Sequence, residues 1–157
     1  MGVARLIYFV KGLGKIPEEA AHPIGAAALE LVTEGFEEER DPYGRAWKPT
    51  IERPGQVLSD TGRLKNSWRV DVSRNLATVS TNTEYAPTHQ YGATIRPKMK
   101  KALRFRLGKA WVTKRKVVVP QRRMIPDDGD LPDAWRKAFE EEVDAVLADL
   151  KAEGGAE

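Results

Sequence analysis

The sequence contains no cysteine, and this absence removes several classes of chemistry at once. Disulfide frameworks, thiolate nucleophiles and cysteine-ligated zinc or iron-sulfur sites are all excluded. A chain of 157 residues can still bury roughly two thirds of the surface that its unfolded form exposes. We therefore expect one domain over residues 1–157, stabilised by packing or by subunit contacts, with a frayed tip at about 153–157.

Histidine is almost as scarce, since only His22 and His89 occur and neither has ligand spacing around it. Gly12-Leu13-Gly14-Lys15 lacks the spacing of a phosphate-binding loop, and no Gly-x-Ser-x-Gly elbow surrounds a serine. We therefore predict no catalytic residue, no metal site and no cofactor. His89 is interpreted as a side chain that hydrogen-bonds its own loop.

Long apolar runs are also missing, and no stretch approaches the roughly 20 residues that a membrane span requires. The apolar stretch from Val3 to Val10 is interrupted by Arg5 and is followed by no small-residue cleavage site, which argues against a signal peptide. We expect a protein that is made in the cytoplasm and has no membrane partner.

The net charge is only +3, but the charged residues are distributed unevenly along the chain. Residues 1–40 carry four basic and seven acidic side chains, residues 41–126 carry 19 and five, and residues 127–157 carry three and 11. A basic middle between acidic ends could steer nucleic acid, or it could bring identical subunits together through complementary faces. Composition does not choose between these two.

Two long helices are predicted from apolar residues at three- and four-residue spacing. The first runs from Ile24 to Arg40, with Pro23 in its first turn. The second runs from about Pro132 to Ala152. Its expected apolar stripe consists of Trp135, Phe139, Val143, Val146, Leu147 and Leu150. A short helix is expected from Ser59 or Asp60, with Leu64 and Trp68 on one face.

Two hairpins are predicted from alternating apolar residues. The first spans Trp68 to Thr81 and turns at Arg74-Asn75, where Asn75 would supply the positive φ. The second pairs Leu103 to Leu107 with a strand from Trp111 to Val119. The predicted fold is therefore α+β, a single domain with N- and C-terminal helices packed on a small antiparallel sheet made of two β-hairpins.

Basic residues crowd the second hairpin, and we expect them to contact protein or DNA. The members are Arg96, Lys98, Lys100, Lys101, Arg104, Arg106, Lys109, Lys114, Arg115 and Lys116. Stacking on bases needs exposed rings, whereas the alternation puts Phe105 on the same face as Leu103 and predicts it in the core. This favours a solvated or subunit-facing surface over direct nucleic-acid binding.

Four segments, in this order, carry a resemblance to a known family. They are Asp41 to Pro49 (DPYGRAWKP), Leu58 to Trp68 (LSDTGRLKNSW), Ser80 to Gly92 (STNTEYAPTHQYG) and Val119 to Ile125 (VPQRRMI). Together they resemble the bacteriophage virion-morphogenesis and tail-completion family. The sequence departs from that family's pattern at Arg123, where proline is favoured, and in the long basic hairpin from Lys98 to Lys116.

The residues that match the family's motifs are expected to define turns and anchors of the fold. They are Asp41, Pro42, Gly44, Trp47, Thr61, Gly62, Leu64, Ser67, Trp68, Asn82, Tyr85, His89, Gln90 and Gly92. The resemblance carries no catalytic or cofactor-binding residue with it, and so implies a structural protein rather than an enzyme.

The resemblance further implies a minor virion protein that completes the tail or stabilises head–tail joining at the head–tail junction or tail end. Its implied partners are other copies of itself in a hexameric or dodecameric ring, neck, connector and tail-tube proteins, and packaged DNA nearby. In such a ring, the basic face of one subunit would meet the acidic terminal helix of the next. The alternative is a basic nucleic-acid-binding module that uses the 96–116 hairpin.

Overall fold

The computed structural model describes residues 6–9, 17–50, 56–107, 109–127 and 131–154. Its helices are α1 (Ala21–Glu37), α2 (Ala86–Tyr91) and α3 (Asp133–Gly154), with 3-10 turns at Glu18–Ala20 and Lys65–Ser67. Its strands are β1 (Leu6–Phe9), β2 (Trp68–Ser73), β3 (Leu76–Thr81), β4 (Ala93–Ile95), β5 (Leu103–Leu107), β6 (Ala110–Lys114) and β7 (Val117–Val119). The predicted α+β class, with terminal helices and antiparallel hairpins, is confirmed.

The central layer is a three-stranded antiparallel sheet in the order β1-β3-β2, and α1 packs across β2 and β3. The helix approaches the sheet closely at Gly25. A Cβ there would lie 2.5 Å from Cγ1 of Val70, well inside van der Waals contact. Glycine is therefore the residue that lets helix and sheet meet at this distance.

Aromatic side chains fill the core where α1 meets α3. Phe36 and Trp47 make an edge-to-face contact with ring centroids 5.4 Å apart, and Trp135 and Phe139 make a similar one at 5.9 Å. Such pairs contribute about 0.5–1.5 kcal/mol beyond the burial of their area. The core is thus closed by large rings rather than by any covalent link.

Both long helices are confirmed, although α1 begins and ends three residues before its predicted bounds. The apolar stripe of α3 is only partly buried. Trp135 and Phe139 are in the core, whereas Leu147 and Leu150 keep 37% and 39% of their surface exposed. The predicted stripe therefore extends beyond the core, which ends before α3 does.

Two local predictions are also wrong, and one strand was missed. No helix forms from residue 59 or 60: only a 3-10 turn spans Lys65–Ser67, and Trp68 begins β2. The first hairpin has its predicted bounds, but Arg74 adopts the positive φ of its turn, at 51°. The strand β1, which pairs with β3, was not predicted.

The second hairpin is shorter than predicted. The strands β5 and β6 pair with each other, but Val117–Val119 forms the separate strand β7 and pairs with β4. The predicted strand from Trp111 to Val119 is therefore interrupted at Arg115-Lys116. The turn of this hairpin is predicted at Gly108-Lys109, and Gly108 lies outside the described residues.

Candidate assembly site

The loop after α1 is built around the carboxylate of Asp41, which is 8% exposed. Its Oδ1 accepts hydrogen bonds from the backbone N–H groups of Tyr43 (3.0 Å) and Arg45 (2.8 Å). Gly44 completes the turn with φ of 80°. An aspartate that caps its own turn in this way fixes the path of the chain toward Trp47.

Trp47 and Arg122 join this loop to the segment after β7. The indole N–H of Trp47 donates to the backbone oxygen of Arg123 at 2.9 Å. In the opposite direction, Nε of Arg122 donates to the backbone oxygen of Lys48 at 2.9 Å. Asp127 adds a third link, because its backbone N–H donates to the hydroxyl of Tyr43 at 3.0 Å.

Gln90 joins α2 to the same segment through both ends of its amide, and it is 1% exposed. Its Nε2 donates to the backbone oxygen of Ile125 at 2.7 Å. Its Oε1 accepts from the backbone N–H groups of Met124 (2.8 Å) and Ile125 (3.3 Å). Because one end meets a carbonyl and the other meets N–H groups, only this orientation of the amide satisfies all three contacts.

A cluster of hydroxyl groups joins the second motif segment to the third. Ser67 donates to the backbone oxygen of Leu64 at 2.8 Å, and its Oγ lies 2.5 Å from Oγ1 of Thr81. Thr83 donates from its hydroxyl to the same Ser67 oxygen at 2.9 Å. The four segments that carry the resemblance are thus joined in pairs by polar contacts, although they lie far apart in sequence.

The remaining motif residues vary in their surroundings. Leu64 and Trp68 are buried, Gly62 and Gly92 have φ of 68° and 72°, and Thr61 accepts a hydrogen bond from the backbone of Arg63. Pro42 lines the turn of the first loop and is half-buried, whereas Asn82 is exposed. Arg122 is 5% exposed and was missed as a candidate, although it lies within the motif segment Val119 to Ile125.

The interpretation of His89 needs correction. Its Nδ1 is buried without a hydrogen-bond partner, so that atom does not bond its loop. Its ring instead lies edge-on to Tyr85, with centroids 6.0 Å apart. Burial lowers the pKa of His89 below its ordinary value, and the positive charge of Arg122 lowers this pKa further. His89 is thus held in its neutral form, as a ring that packs.

The basic arm, defined as residues 96–116, carries its charge on the surface. Its ten lysine and arginine side chains are all exposed, and residues 96–116 contain no carboxylate. On β5 and β6, Arg104 lies over the ring of Trp111 at 4.8 Å, and Trp111 itself is 63% exposed. The expectation that Phe105 belongs to the core is wrong: it is half-buried and lies outside the core cluster.

Large apolar side chains are exposed on the arm and next to it. Tyr91, Ile95, Trp111 and Val118 keep 62%, 43%, 63% and 63% of their surface, and Met99 keeps 99%. Scattered exposed apolar residues are ordinary, but a group of five in and around one basic segment is typical of a surface that another macromolecule covers. The structure therefore places the candidate site at the arm and at the short sheet β4-β7 that supports it.

A cleft of about 450 Å³ lies between the end of α1, the Asp41 loop and the start of α3. Tyr43 and Trp135 supply apolar walls, and Glu34, Arg40 and Asp133 supply charge. The described residues that line this cleft include no histidine, serine or lysine.

No group of three or more histidine, aspartate or glutamate side chains in the described part of the chain is placed to hold a metal ion. No helix in that part is long and apolar enough to cross a membrane.

Comparison with known proteins bears on what this architecture is for. Neither the curated proteins nor the solved structures contain a match to the sequence. The model of the phage virion morphogenesis family, in contrast, matches residues 10–148, which is most of the chain and includes all four motif segments. The chain therefore belongs to the phage virion morphogenesis family, whose role is a structural one in building the virion.

Proposed function

We propose that the chain is a non-enzymatic component of the head–tail junction, which completes the tail or stabilises its joining to the head as a homo-oligomeric ring. The observation that carries the proposal is the family match over residues 10–148. Neck, connector and tail-tube proteins would be its neighbours, packaged DNA would pass nearby, and the protein would be assembled in the host cytoplasm.

The use of the motif residues supports a structural role. Asp41, Trp47, Ser67 and Gln90 all direct their polar atoms to the chain itself, as hydrogen bonds that join distant segments. An active site needs polar groups that converge on a substrate. Here the polar side chains converge on backbone groups, and the densest exposed positive charge lies on the arm.

The test is genetic and uses the phage that encodes the chain. Removing the gene should leave separate full heads and free tails in lysates viewed by electron microscopy, and supplying the protein from a plasmid should restore joined virions. Normal virions in the absence of the protein would refute the proposal. A native mass of the purified protein that corresponds to a closed ring would support the oligomeric part, whereas a monomer at all concentrations would refute it.

Nucleic-acid binding by the arm is a second candidate function, and the exposure of Trp111 favours it. An indole that is 63% exposed among guanidinium groups can stack on a base, which a core ring cannot. The measurement is binding of a short DNA duplex at several salt concentrations. Each phosphate contact steepens the plot of the logarithm of the binding constant against the logarithm of the salt concentration by about one unit of slope.

The variant for this test replaces Arg104, Arg106, Lys114 and Arg115 by alanine. Its matched control removes four exposed arginines elsewhere, namely Arg63, Arg69, Arg74 and Arg136. Loss of binding and of salt dependence in the arm variant alone would establish this function. Equal loss in both variants would show that only net charge matters.

A further inference from the structure

The strands β5 and β6 stand apart from the rest of the fold. They pair with each other over five residues each, and neither packs extensively against another helix or strand among the described residues. A lone two-stranded hairpin is at best marginally stable in water. Its outer face carries Arg104 and Trp111, which the register places diagonally across the pair. This arm therefore lacks, within its own subunit, the packing that ordinarily stabilises a hairpin.

The distal half of α3, residues 140–153, is the other surface left uncovered. Leu147 and Leu150 are exposed there, one turn apart. Carboxylates of Glu140 and Asp144 lie on the turns before Leu147, and Glu153 lies on the turn after Leu150. This half carries six carboxylates and one lysine, and one of the six, Glu141, pairs with Lys137 in the preceding turn.

We propose that the basic arm of one copy docks along the distal half of α3 of a second copy. The proposal rests on the ring proposed above and specifies the contact that would build it. Arg104 and its neighbours on the arm meet the carboxylates of Glu140 and Asp144, while Trp111 covers Leu147 and Leu150. Each subunit offers one of each surface, so the contact is head-to-tail and repeats until a ring closes.

Size and charge both match between the two surfaces. The arm carries ten positive charges and no negative one, and the distal half of α3 has an excess of five negative charges. A five-residue strand is about 17 Å long, and a helix of 14 residues is about 21 Å long. Opposite charge on surfaces of similar length steers encounter and fixes register.

A second copy suits the arm better than DNA does because both surfaces also carry apolar side chains. A phosphate backbone attracts the cations but leaves Met99 and Trp111 with little to bury against, unless a base unstacks. The leucines of α3 offer those side chains an apolar surface, and burial of apolar area contributes about 25 cal/mol per Å². One contact then accounts for the exposed charge and the exposed rings together.

Charge reversal in the full-length chain tests this contact. The α3 variant combines Glu140→Lys with Asp144→Lys, and the arm variant combines Arg104→Glu with Arg106→Glu. Sedimentation velocity measures self-association, with melting temperature as a check on folding. Each variant should weaken association at least ~10-fold, and raising salt should weaken the association of the wild-type chain.

Two matched controls carry the same change in charge on exposed positions elsewhere. They are Glu30→Lys with Glu34→Lys on α1, and Arg69→Glu with Arg74→Glu on the first hairpin. Neither control should weaken association. The decisive variant combines both interface reversals in one chain, because the exchanged charges again attract and association should return to within about threefold of wild type.

The outcomes separate this contact from the ring itself. If the wild type assembles but its interface variants match their controls, or if the combined variant does not recover, the proposed contact is refuted and the ring stands. A wild-type chain that stays monomeric refutes both. Loss of duplex binding in the arm variant, without any loss of self-association, refutes the contact and assigns the arm to DNA.

Discussion

Replacing Gln90 by alanine is the sharpest test of how the motif segments hold the fold together. The change removes three hydrogen bonds to Met124 and Ile125. Both of those residues are nearly inaccessible, at 3% and 2% exposure, so water cannot easily replace the lost amide. The carbonyl of Ile125 and the N–H of Met124 would be left buried and unpaired.

The expected cost follows from these two groups. Leaving a buried backbone donor or acceptor unsatisfied costs about 1–3 kcal/mol, and the space left by the side chain adds to it. We therefore expect Gln90→Ala to lower the free energy of unfolding by roughly 3–5 kcal/mol, a large part of the 5–15 kcal/mol typical of whole domains.

Urea denaturation measures this loss, and Gln121→Ala provides the control. The Nε2 of Gln121 also bonds a backbone oxygen, that of Gln90 at 3.1 Å, but Gln121 is exposed, and its loss should cost less than about 1 kcal/mol. Hydrogen exchange at Met124 and Ile125 should also accelerate in Gln90→Ala. Should Gln90→Ala and Gln121→Ala unfold at the same urea concentration, the amide contributes nothing special and the reasoning is refuted.

Two further pairs of variants test the turn glycines and the histidines. Gly92→Ala should lower the free energy of unfolding, measured by urea denaturation, by about 2–3 kcal/mol, because the φ of Gly92 is 72° and a Cβ there would meet the backbone of Val119 and Gln121 within 3.2 Å. Gly44 has a similar φ but open space around it, so Gly44→Ala should lower this free energy by only about 1 kcal/mol. Equal losses would show that crowding is unimportant. Because burial lowers the pKa of His89, the unfolded chain takes up its proton first as pH falls through about 6.5, so that stability is lost in that window. The melting temperature should fall between pH 7.5 and pH 5.5, and this fall should be smaller in His89→Gln than in wild type or in His22→Gln, which replaces an exposed histidine. Equal falls in all three proteins would contradict this account.

The two long helices and the first hairpin could be predicted because their own side chains determine them, whereas the short helix α2 was not predicted. Periodic apolar residues located α1 and α3, and alternation located β2 and β3. The errors arose where partners distant in sequence decide the structure. The strand β7 reads as a continuation of β6, but Val117–Val119 pairs instead with Ala93–Ile95, and nothing in its own sequence shows this.

The candidate site was predicted unevenly for a related reason. The basic residues of the arm were found from composition alone, since charge of one sign over 21 residues is visible in the sequence. The exposure of Trp111 was not found, because alternation within a hairpin shows which residues share a face but not whether another element covers that face. Arg122 was missed because its burial depends on a carbonyl 74 positions away, at Lys48.

Motif residues and arm residues differ in their contacts, and this difference explains why the fold and the candidate site were each predicted only in part. Motif residues such as Gln90 and Trp47 hydrogen-bond to backbone atoms of other motif segments. Replacing such a residue therefore also destabilises the segment to which it bonds, and the segments act as one scaffold. The arm packs extensively on no other described helix or strand, so changes to its exposed cations should disturb the core little. A chain organised in this way carries its fold in the residues that resemble its family, and its densest positive charge in the hairpin that departs from that family's pattern.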